Sequence, residues 1–573
     1  MRMKARPGLH YAPVPGGVYF AGTSTQFMMR GWDLLFTVAD VCVPLLEDGA
    51  TEDDLVAALG SEHARPAVRH LTEGLRTHGL LLEPGRLTVP EPPATVREQH
   101  AEALALLESV CADPYAAFAA LRAATVVLAG PPEATGPAAR GLIRAGAGRV
   151  VVAGTPGEDM PEDADAMLVC VGAGDEPAPP EPDGRPVMIV PVVLDDRLLL
   201  AGPVIRDGTS LRTWSALRAR ALAWADPAAG PPRPVADALA GALAAQLLFE
   251  TLTGVAGEGD AHVVHGADLA AERVAVRRAD AQLQVWRRPG DSEPAPMPGV
   301  AEAVDLAGTV TAQWTGLVAL APGDSLPQLP LALREARYRG ARPGSVVAWG
   351  VDKESATVAV ALAALRQSAG APLDRGDPDR GDPGRGSPGR GSRNVTDAAG
   401  LTEDAWLLDG ALRLLAGRTL PLHAVPVDGL DPEAMRFWRE IQRAEPGQYA
   451  IEVRHVPGLG WLLGRVESAR TGETLGLAWG PDEDTAVQRS LGTALARAQL
   501  RAVTGAGESV PLLNTDALCF VADEEIIALR TRARVLRAVG RARYRGCRAA
   551  ADPVLGDVPL WFGPVEQEPA DAH

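Results

Sequence analysis

Lysine is almost absent from this chain of 573 residues. The 55 basic residues include only Lys4 and Lys353, and all the others are arginine. No Gly-x-x-x-x-Gly-Lys-Ser/Thr sequence is therefore present, which excludes a P-loop nucleotide site.

Cysteine is also scarce, and the five cysteines are scattered along the chain. They are Cys42, Cys111, Cys170, Cys519 and Cys547. No two of them form a Cys-x-x-Cys pair, so a structural zinc site of the usual spacing is excluded. An odd, scattered set does not make a disulfide framework, and it favours a protein of the reducing cytoplasm.

Positive charge and long apolar runs are lacking as well. The net charge is −18, from 73 acidic and 55 basic residues, which repels phosphate backbones, so we expect no nucleic-acid partner. Residues 1–17 hold no signal-peptide core and no apolar run approaches the length of a membrane span, so we expect no membrane partner. Hydrophobic residues make up 46% and aromatic residues 4%, so large cores must consist mainly of Ala, Val and Leu.

Residues 1–90 are predicted to form a winged helix-turn-helix. Three short runs separated by Gly-containing turns predict a small sheet, at Leu9–Val14, Gly17–Ala21 and Thr25–Arg30. Three helical patterns follow, at Trp32–Leu46, Glu52–Leu59 and Ala64–Thr77. The second begins with a capping box of Thr51 and Asp54. Two further strands, at Leu80–Leu82 and Arg86–Val89, are predicted to form the wing.

A connecting helix is predicted over residues 91–120, followed by a Rossmann-like domain over 121–295. Its predicted strands are Thr125–Ala129, Arg149–Ala153, Ala166–Val171 and Val187–Val193. Because these strands alternate with helical segments, we expect a parallel sheet that is covered on both faces.

The turn after the first of these strands has glycines at Gly130, Gly136 and Gly141. A dinucleotide site needs free backbone N–H groups at this turn and an acid after the second strand. Pro131 and Pro132 remove two donors, and the second strand ends in Ala-Gly. The pattern favours a Rossmann-like scaffold over a working nucleotide site.

The last block, residues 300–573, mixes strands and helices and is predicted to be an α+β domain. It is interrupted by Asp374–Arg393, a repeat of Arg-Gly-Asp/Ser-Pro units. Such a composition cannot bury a core, so a disordered loop is predicted over residues 371–397.

Val126–Val152 resembles the first βαβ unit of the ThiF-type adenylating enzymes. Residues 202–214 and 285–291 resemble the segments that carry that family's two zinc cysteine pairs, and Leu211 and Trp214 stand at the places of the first pair. The resemblance implies a ThiF-type domain that has lost both its metal and its ATP.

The C-terminal block resembles the YcaO proteins, ATP-dependent cyclodehydratases of backbone amides. Val304–Ala321 resembles their opening strand pair, and Trp349–Ala356 resembles the turn before their first long helix. Two glutamates of that helix hold Mg²⁺ and phosphate in the family, and Ala363 and Arg366 stand in their places. A second turn and helix, beginning at Gly480, has Thr493 where an acid is expected. The resemblance implies a YcaO-like fold without catalysis.

The order of these modules resembles the leader-peptide-binding partner proteins of azole-forming (thiopeptide/TOMM) RiPP biosynthesis. In that family the winged helix is the RiPP recognition element, to which the leader of the precursor peptide adds as a fourth strand beside the third helix. The residues implied to bind the leader are Thr25, Gln26, Phe27, Met28, Met29, Arg30, Arg65, Arg69, His70, Glu73 and Arg76.

Each of these residues has an alternative interpretation. Phe27 and Met29 alternate with Gln26 and Met28, so one pair is expected to pack inward, but apolar strand residues are as often simple core. The arginines are interpreted either as contacts for an acidic leader or as an ordinary polar face. The histidines of the third helix, His70 and His78, are expected to be solvated.

The leading hypothesis is a non-catalytic partner, with no catalytic residue, metal or cofactor of its own. It binds the precursor's leader peptide and delivers Cys, Ser and Thr residues to a separate catalytic YcaO cyclodehydratase; a flavin-dependent azoline dehydrogenase is a further candidate partner. The first alternative is an active ATP-dependent adenylating or cyclodehydrating enzyme. The second is a winged-helix DNA-binding regulator, which the acidic charge disfavours.

Overall fold

The computed structural model describes residues 2–568 except for positions 33, 155–160, 162, 173, 176–186, 227–229, 256–258, 278–283, 294, 323–324, 340–342, 370–394, 418–421, 457–459, 506, 516–533, 535, 537–542 and 550. The chain divides into two compact units. The first comprises Met1–Arg218 and Ala225–Val276, and the second comprises Ala219–Trp224 and Arg277–His573.

The N-terminal part of the first unit contains five strands and three helices. The strands are β1 (Lys4–Ala5), β2 (His10–Val14), β3 (Gly17–Ala21), β4 (Gln26–Arg30) and β5 (Leu81–Leu82), and the helices are α1 (Leu35–Asp48), α2 (Glu52–Ala58) and α3 (Arg65–Thr77). An antiparallel sheet has the order β2-β3-β4, and β1 pairs with β5. The three predicted strands and three predicted helices are therefore present.

The sequence signals behind these elements are visible in the contacts. Thr51 and Asp54 form the predicted capping box at the start of α2. The predicted apolar stripe of α3 is fully buried. The predicted second wing strand at Arg86–Val89 is not formed, because Pro84–Arg86 makes a 3-10 turn, and proline followed by glycine favours a turn over a strand.

Three helices, rather than one, follow this part. They are α4 (Ala94–Gln99), α5 (Ala101–Val110) and α6 (Pro114–Ala123). The single connecting helix predicted for this region is wrong, because Asp113 and Pro114 start a new helix. The Asp113 carboxylate accepts a hydrogen bond from the backbone N–H of Ala116 at 3.0 Å, and proline suits the first helical position.

A buried carboxylate ties the first strand to these helices. Glu108 accepts hydrogen bonds from Lys4 Nζ at 2.7 Å and from the Tyr115 hydroxyl at 2.9 Å. Arg6 donates to the backbone carbonyls of Glu108 and Cys111 at 2.6 and 2.7 Å. These bonds fix the position of the N-terminal sheet on α5 and α6.

The rest of the first unit is a seven-stranded mixed sheet with three helices, one of which has its last six residues, Ala219–Trp224, in the second unit. The strands are β6 (Thr125–Ala129), β7 (Arg149–Ala153), β8 (Ala166–Val171), β9 (Met188–Leu194), β10 (Leu198–Ala201), β11 (Asp260–His265) and β12 (Ala270–Ala275), and the helices are α7 (Pro132–Ala145), α8 (Gly208–Trp224) and α9 (Val235–Thr253). The order is β12-β11-β10-β9-β8-β6-β7.

The four strands predicted from the sequence form a parallel arrangement, as expected, and three further strands that were not predicted make the sheet mixed. Strands β7, β6, β8 and β9 are parallel, whereas β10, β11 and β12 continue from β9 in antiparallel fashion. Only three residues separate β9 from β10, which is too short for a parallel crossover.

Helix α9 is apolar along most of its length. Contrary to the sequence-based expectation, it is long and apolar enough to cross a membrane, with a mean hydropathy of 1.4, yet 56% of that window is buried inside the structure. The helix packs against α7 and against β9, β10 and β11. Its apolar character is accounted for by the core of the first unit.

The described residues of the second unit form four sheets and five α-helices. Its strands are β13 (Gln284–Arg287), β14 (Val318–Leu320), β15 (Ala332–Tyr338), β16 (Gly344–Gly350), β17 (Val395–Gly400), β18 (Leu422–Ala424), β19 (Tyr449–Val456), β20 (Trp461–Ser468), β21 (Thr474–Gly480), β22 (Leu513–Asn514), β23 (Tyr544–Ala549), β24 (Ala551–Asp552), β25 (Gly556–Asp557) and β26 (Trp561–Gln567). Its helices are α10 (Val300–Thr311), α11 (Lys353–Ala369), α12 (Glu403–Ala416), α13 (Pro432–Ala444) and α14 (Glu483–Thr504). The sheets have the orders β13-β23-β26-β17, β14-β15-β16, β18-β19-β20-β21-β22 and β24-β25.

Two predictions for this block are wrong in detail. The segment predicted as an opening strand pair, Val304–Ala321, begins inside helix α10, because Ala303, Ala307 and Val310 are buried at helical spacing. Residues 395–397, assigned to the disordered loop, begin strand β17. The rest of that loop prediction lies outside the described residues.

The same turn precedes three of the long helices. Helices α11, α12 and α14 each follow a strand that ends in glycine, at Gly350, Gly400 and Gly480. A Cβ atom on any of them would lie 2.3 to 2.4 Å from a backbone nitrogen of the following helix, so only glycine fits. The helix caps two residues later are Asp352, Thr402 and Asp482. The first and third turns were predicted from the sequence, whereas the second, which has threonine as its cap, was not.

Candidate functional site: an exposed strand edge beside helix α3

Strand β4 lies at the edge of its sheet, where it pairs with β3 alone. Just before β4, the backbone N–H of Gly22 donates to the carbonyl of Thr25 at 2.8 Å. Hydrogen-bonded and non-hydrogen-bonded pairs alternate along an antiparallel ladder. Phe27 and Met29 therefore also direct their backbone groups towards β3.

The other three residues of β4, Gln26, Met28 and Arg30, direct their backbone N–H and C=O groups away from β3. Within the part of the chain that the structure describes, no strand pairs with this side of β4. The edge can accept one further extended chain by β-augmentation.

The side chains of β4 alternate between the core and the surface, as the sequence pattern predicted. Met29 is buried, at 5% exposure, and Phe27 is half-buried, whereas Gln26, Met28 and Arg30 are exposed. Met28 is 51% exposed. The inward pair is therefore Phe27 and Met29, and the interpretation as plain core does not hold for Met28.

The inward pair meets helix α3 at a glycine. A Cβ atom on Gly74 would lie 2.1 Å from the Met29 methyl carbon, so the absence of a side chain there is what admits Met29. The Phe27 ring stacks on the His78 ring, with centroids 3.8 Å apart and planes at 12°. Further along the helix, the rings of Trp32 and His70 lie 5.9 Å apart.

These residues form the line of contact between the strand and the helix, here called the β4–α3 groove. Its residues are Phe27, Met29, Trp32, His70, Gly74 and His78. His78, expected to be solvated, is exposed but holds one ring face against Phe27. A glycine in a helix interior is a sequence signal for close packing. Gly74 carries this signal, but its contact with Met29 was not among the predictions.

Two of the predicted arginines lie away from this groove, on the side of α3 that meets α2. Arg65 pairs with Glu52 at 3.0 Å and with Asp53 and Glu62 at 2.8 Å each. Arg69 reaches Glu52 at 2.8 Å. Hydrogen bonds from Arg65 and then from Arg69 lower the pKa of Glu52, which keeps this carboxylate charged.

The remaining pair of predicted charges lies nearer the end of α3. Arg76 pairs with Glu73 on its own helix and with Glu83 at 3.3 Å, and its guanidinium contacts the Met3 sulfur at 3.6 Å. The structure thus places His70 beside Trp32, which follows β4, and it engages Arg65, Arg69, Glu73 and Arg76 in ion pairs within the N-terminal part.

The turn that resembles a dinucleotide site is poorly equipped to bind phosphate. Gly130 has a φ of 144°, and a Cβ atom there would lie 2.4 Å from the Cβ of Cys170, so glycine is required by strand packing. Helix α7 begins at Pro132 behind Pro131, and neither proline carries an N–H. Burial raises the pKa of Cys170 to about 12, so this thiol is neutral and unreactive.

The positions where the YcaO resemblance expects metal-holding acids do not suit a cation. Arg366, itself a cation, donates to Asp409 at 2.9 Å. Arg413 donates to the other oxygen of Asp409 at 3.1 Å, and the backbone N–H of Ala399 donates at 2.9 Å. The carboxylate is fully buried and both oxygens are engaged, so neither is available to Mg²⁺.

The neighbouring arginines stabilise the charged form of Asp409. Burial alone would raise the pKa of Asp409, but the charges of Arg366 and Arg413 outweigh it and hold the pKa below its ordinary value. At the third expected position, Thr493 is fully buried and accepts a hydrogen bond from Trp349 Nε1 at 3.3 Å. These residues do not fit a Mg²⁺–nucleotide site.

Of the two zinc positions named by the ThiF resemblance, Trp214 is taken up by packing, whereas Leu211 is half-buried. Trp214 is fully buried, and Arg218 stacks on its ring at 4.5 Å. Among the described residues, no group of three His, Cys, Asp or Glu side chains could hold a metal ion.

Comparisons with known proteins place the fold. No protein-family model matches the chain. No curated protein is significantly similar to it in sequence. A solved heterocyclase in complex with substrate and cofactor matches 99% of this chain and 94% of its own, with a TM-score of 0.55 and 14% identity. The chain has the fold of that heterocyclase.

Structures of Escherichia coli MccB match a smaller part of the chain. MccB with MccA and MccB with ATP each match 48% of this chain, with TM-scores of 0.32 and identities of 9% and 10%. They cover 96% and 97% of MccB.

Proposed function

We propose that this protein is a non-catalytic partner that binds the leader of a ribosomally made precursor peptide. In this proposal the N-terminal part acts as a RiPP recognition element of winged-helix type. It delivers Cys, Ser and Thr residues to a separate YcaO cyclodehydratase in the cytoplasm, for azoline and azole formation in thiopeptide-like biosynthesis. A flavin-dependent azoline dehydrogenase would act after it.

The observation that carries the proposal is the exposed edge of β4 beside the β4–α3 groove. Backbone groups of Gln26, Met28 and Arg30 offer sequence-tolerant hydrogen bonds to an added strand. The groove behind them would receive alternate side chains of that strand. The chain shares its fold with a heterocyclase that was solved in complex with substrate, which supports a role in binding a substrate.

Delivery without catalysis is supported by the second unit. Where the YcaO resemblance expects acids, the chain has Ala363, Arg366 and Thr493, and Arg366 is committed to Asp409. Tethering a substrate beside an enzyme raises its effective concentration, which gains about 10²-fold or more in avidity without new chemistry. The protein can therefore assist a reaction that it does not carry out.

Each of the two alternatives requires side chains that this chain either lacks or uses in other contacts. An adenylating or cyclodehydrating enzyme needs acids for nucleotide-bound Mg²⁺, at positions filled here by alanine, arginine and threonine. A DNA-binding regulator needs free cations on α3, whereas Arg65, Arg69 and Arg76 all pair with acids of this chain.

The proposal is tested by fluorescence polarisation with a fluorescein-labelled leader peptide of the precursor encoded beside this protein. Met28→Pro removes an N–H that points away from β3, so the protein's own sheet keeps its hydrogen bonds while the added strand loses one. We expect micromolar or tighter binding by the wild type and an affinity about tenfold lower for Met28→Pro.

Met28→Ala is the matched control, since it removes the side chain and keeps the N–H. Its affinity is expected to stay within about threefold of the wild type. No binding by folded wild-type protein would refute the recruiter proposal. ATP hydrolysis by the isolated protein, stimulated by the precursor peptide, would favour the enzyme alternative.

A further inference from the structure

A cavity of about 510 Å³ lies in the second unit, separate from the β4–α3 groove. This volume is typical of sites for small molecules, at about 300–1,000 Å³. Its lining residues are Arg220, Leu317, Arg339, Pro343, Leu365, Ser368 and Phe562. Ala363 and Thr493, two of the positions that the YcaO resemblance singles out, do not line it.

Arg220 is held rigidly at this cavity. Its guanidinium donates to the two carboxylate oxygens of Asp552 at 2.8 and 3.2 Å, and also to the backbone carbonyl of Thr315. Both charged side chains are nearly buried, with 11% exposure each. A guanidinium fixed in this way keeps its orientation when a ligand arrives.

Arg339 is the second cation of the lining. It donates to the backbone carbonyl of Ala219 at 3.1 Å, and its guanidinium lies 5.9 Å from the centre of the Trp224 ring. Arg337, two residues earlier on β15, lies 5.7 Å from the same ring. Residues two apart on a strand share a face, so the three arginines lie near one another.

The charges of this cluster do not balance. Asp552 neutralises Arg220, but among the described residues no carboxylate pairs with Arg337 or Arg339. Burial lowers the pKa of Arg339, and the charge of Arg220 lowers it further. Two positive charges are left over beside a cavity of ligand size.

We propose that this cavity binds a small molecule that carries a phosphate group. The phosphate would lie against Arg339, on the side towards Arg220, since the guanidinium of arginine forms strong, charge-assisted hydrogen bonds with phosphate. A phosphate monoester carries up to two negative charges, which match the excess of the cluster, whereas a carboxylate carries one. The apolar part of the ligand would lie against Leu317, Leu365 and Phe562.

The test is isothermal titration calorimetry on the full chain with three probes: phenyl phosphate, inorganic phosphate and benzoate. Phenyl phosphate offers both a phosphate and an apolar ring, and it is expected to give saturable binding. Inorganic phosphate lacks the ring and benzoate lacks the second charge, so each is expected to bind at least about tenfold more weakly.

Arg339→Gln is the variant of choice because Arg339 is exposed and lies at the end of a strand, so its loss leaves the core intact. It is expected to weaken phenyl phosphate binding at least about tenfold. Arg439→Gln removes the same charge from an exposed position on α13 and is expected to bind like the wild type. Thermal unfolding of both variants checks that they are folded.

Three outcomes would overturn the proposal. The first is the absence of saturable phenyl phosphate binding by folded protein. The second is equal binding by Arg339→Gln and Arg439→Gln. The third, equal affinity for benzoate and phenyl phosphate, would remove the assignment to phosphate.

Discussion

Two polar regions of the molecule, the edge of β4 and the cluster around Asp409, treat their hydrogen-bonding groups in opposite ways. At β4, backbone groups of Gln26, Met28 and Arg30 point away from the sheet. At Asp409, both carboxylate oxygens are used within the fold, by two arginines and a backbone N–H. The first region leaves hydrogen-bonding groups available to an added strand, whereas the second uses its carboxylate oxygens within the fold.

This difference shows where function can have been kept. A buried cluster whose groups satisfy one another contributes to the architecture but cannot take up a ligand without breaking an ion pair. An exposed strand edge costs little stability to leave open and can form hydrogen bonds with many sequences. The edge of β4 can therefore accept an added strand, whereas the cluster around Asp409 is a structural core.

The largest expected effect comes from disrupting the cluster around Asp409. Asp409→Asn leaves the charges of Arg366 and Arg413 without their counter-ion in the core, which we expect to lower the free energy of unfolding by about 3–5 kcal/mol. Chemical denaturation at pH 7 measures it. Asp484→Asn, at an exposed position on α14, is the matched control and is expected to cost less than about 1 kcal/mol.

The stabilisation that Asp409 provides is expected to depend on pH. Because the folded pKa of Asp409 is lowered, its stabilisation is present above the unfolded pKa of about 3.9 and is lost as the pH falls through the folded value. The difference between wild type and Asp409→Asn is therefore expected to shrink on going from pH 7 to pH 3. A difference that is equal at both values would contradict the charge-based explanation.

A smaller effect is expected from a substitution that adds a side-chain atom at the β4–α3 groove. Gly74→Ala places a Cβ atom where the Met29 methyl group now lies, and this flexible tip would move into the β4–α3 groove. We expect leader affinity to fall about tenfold, measured by fluorescence polarisation. The free energy of unfolding is expected to change by less than about 1 kcal/mol, since alanine favours the helix. Unchanged leader affinity would show that the groove is not filled at this point.

Much of the fold follows from local sequence signals. Gly-containing turns placed β2, β3 and β4, and the Thr51–Asp54 capping box placed α2, because these signals act within a few residues. Non-local features were less accessible. The antiparallel half of the large sheet depends on how β10 pairs with β11, some 60 residues later, and no local signal carries that information.

The candidate site was partly predictable for the same reason. Alternation along β4 separated inward from outward residues, because period two is a property of the strand itself. The partners of Arg65 and Arg69 could not be read from α3, since Glu52 lies on another helix. The Arg366–Asp409 ion pair joins residues that are 43 apart in sequence, and it was not predicted from the sequence.

The smallest expected effect concerns Arg69, which lies on the side of α3 that meets α2. Arg69→Glu reverses a charge that is 66% exposed and pairs with Glu52 alone, so we expect an acidic leader to bind a few-fold more weakly at low salt. At about 0.5 M salt the screening length is short, and this difference should disappear, whereas the loss caused by Met28→Pro should persist because it removes a direct hydrogen bond. Polarisation titrations at both salt concentrations measure it. A salt-independent loss for Arg69→Glu would mean that Arg69 contacts the leader directly, and that the open region extends across α3 towards α2.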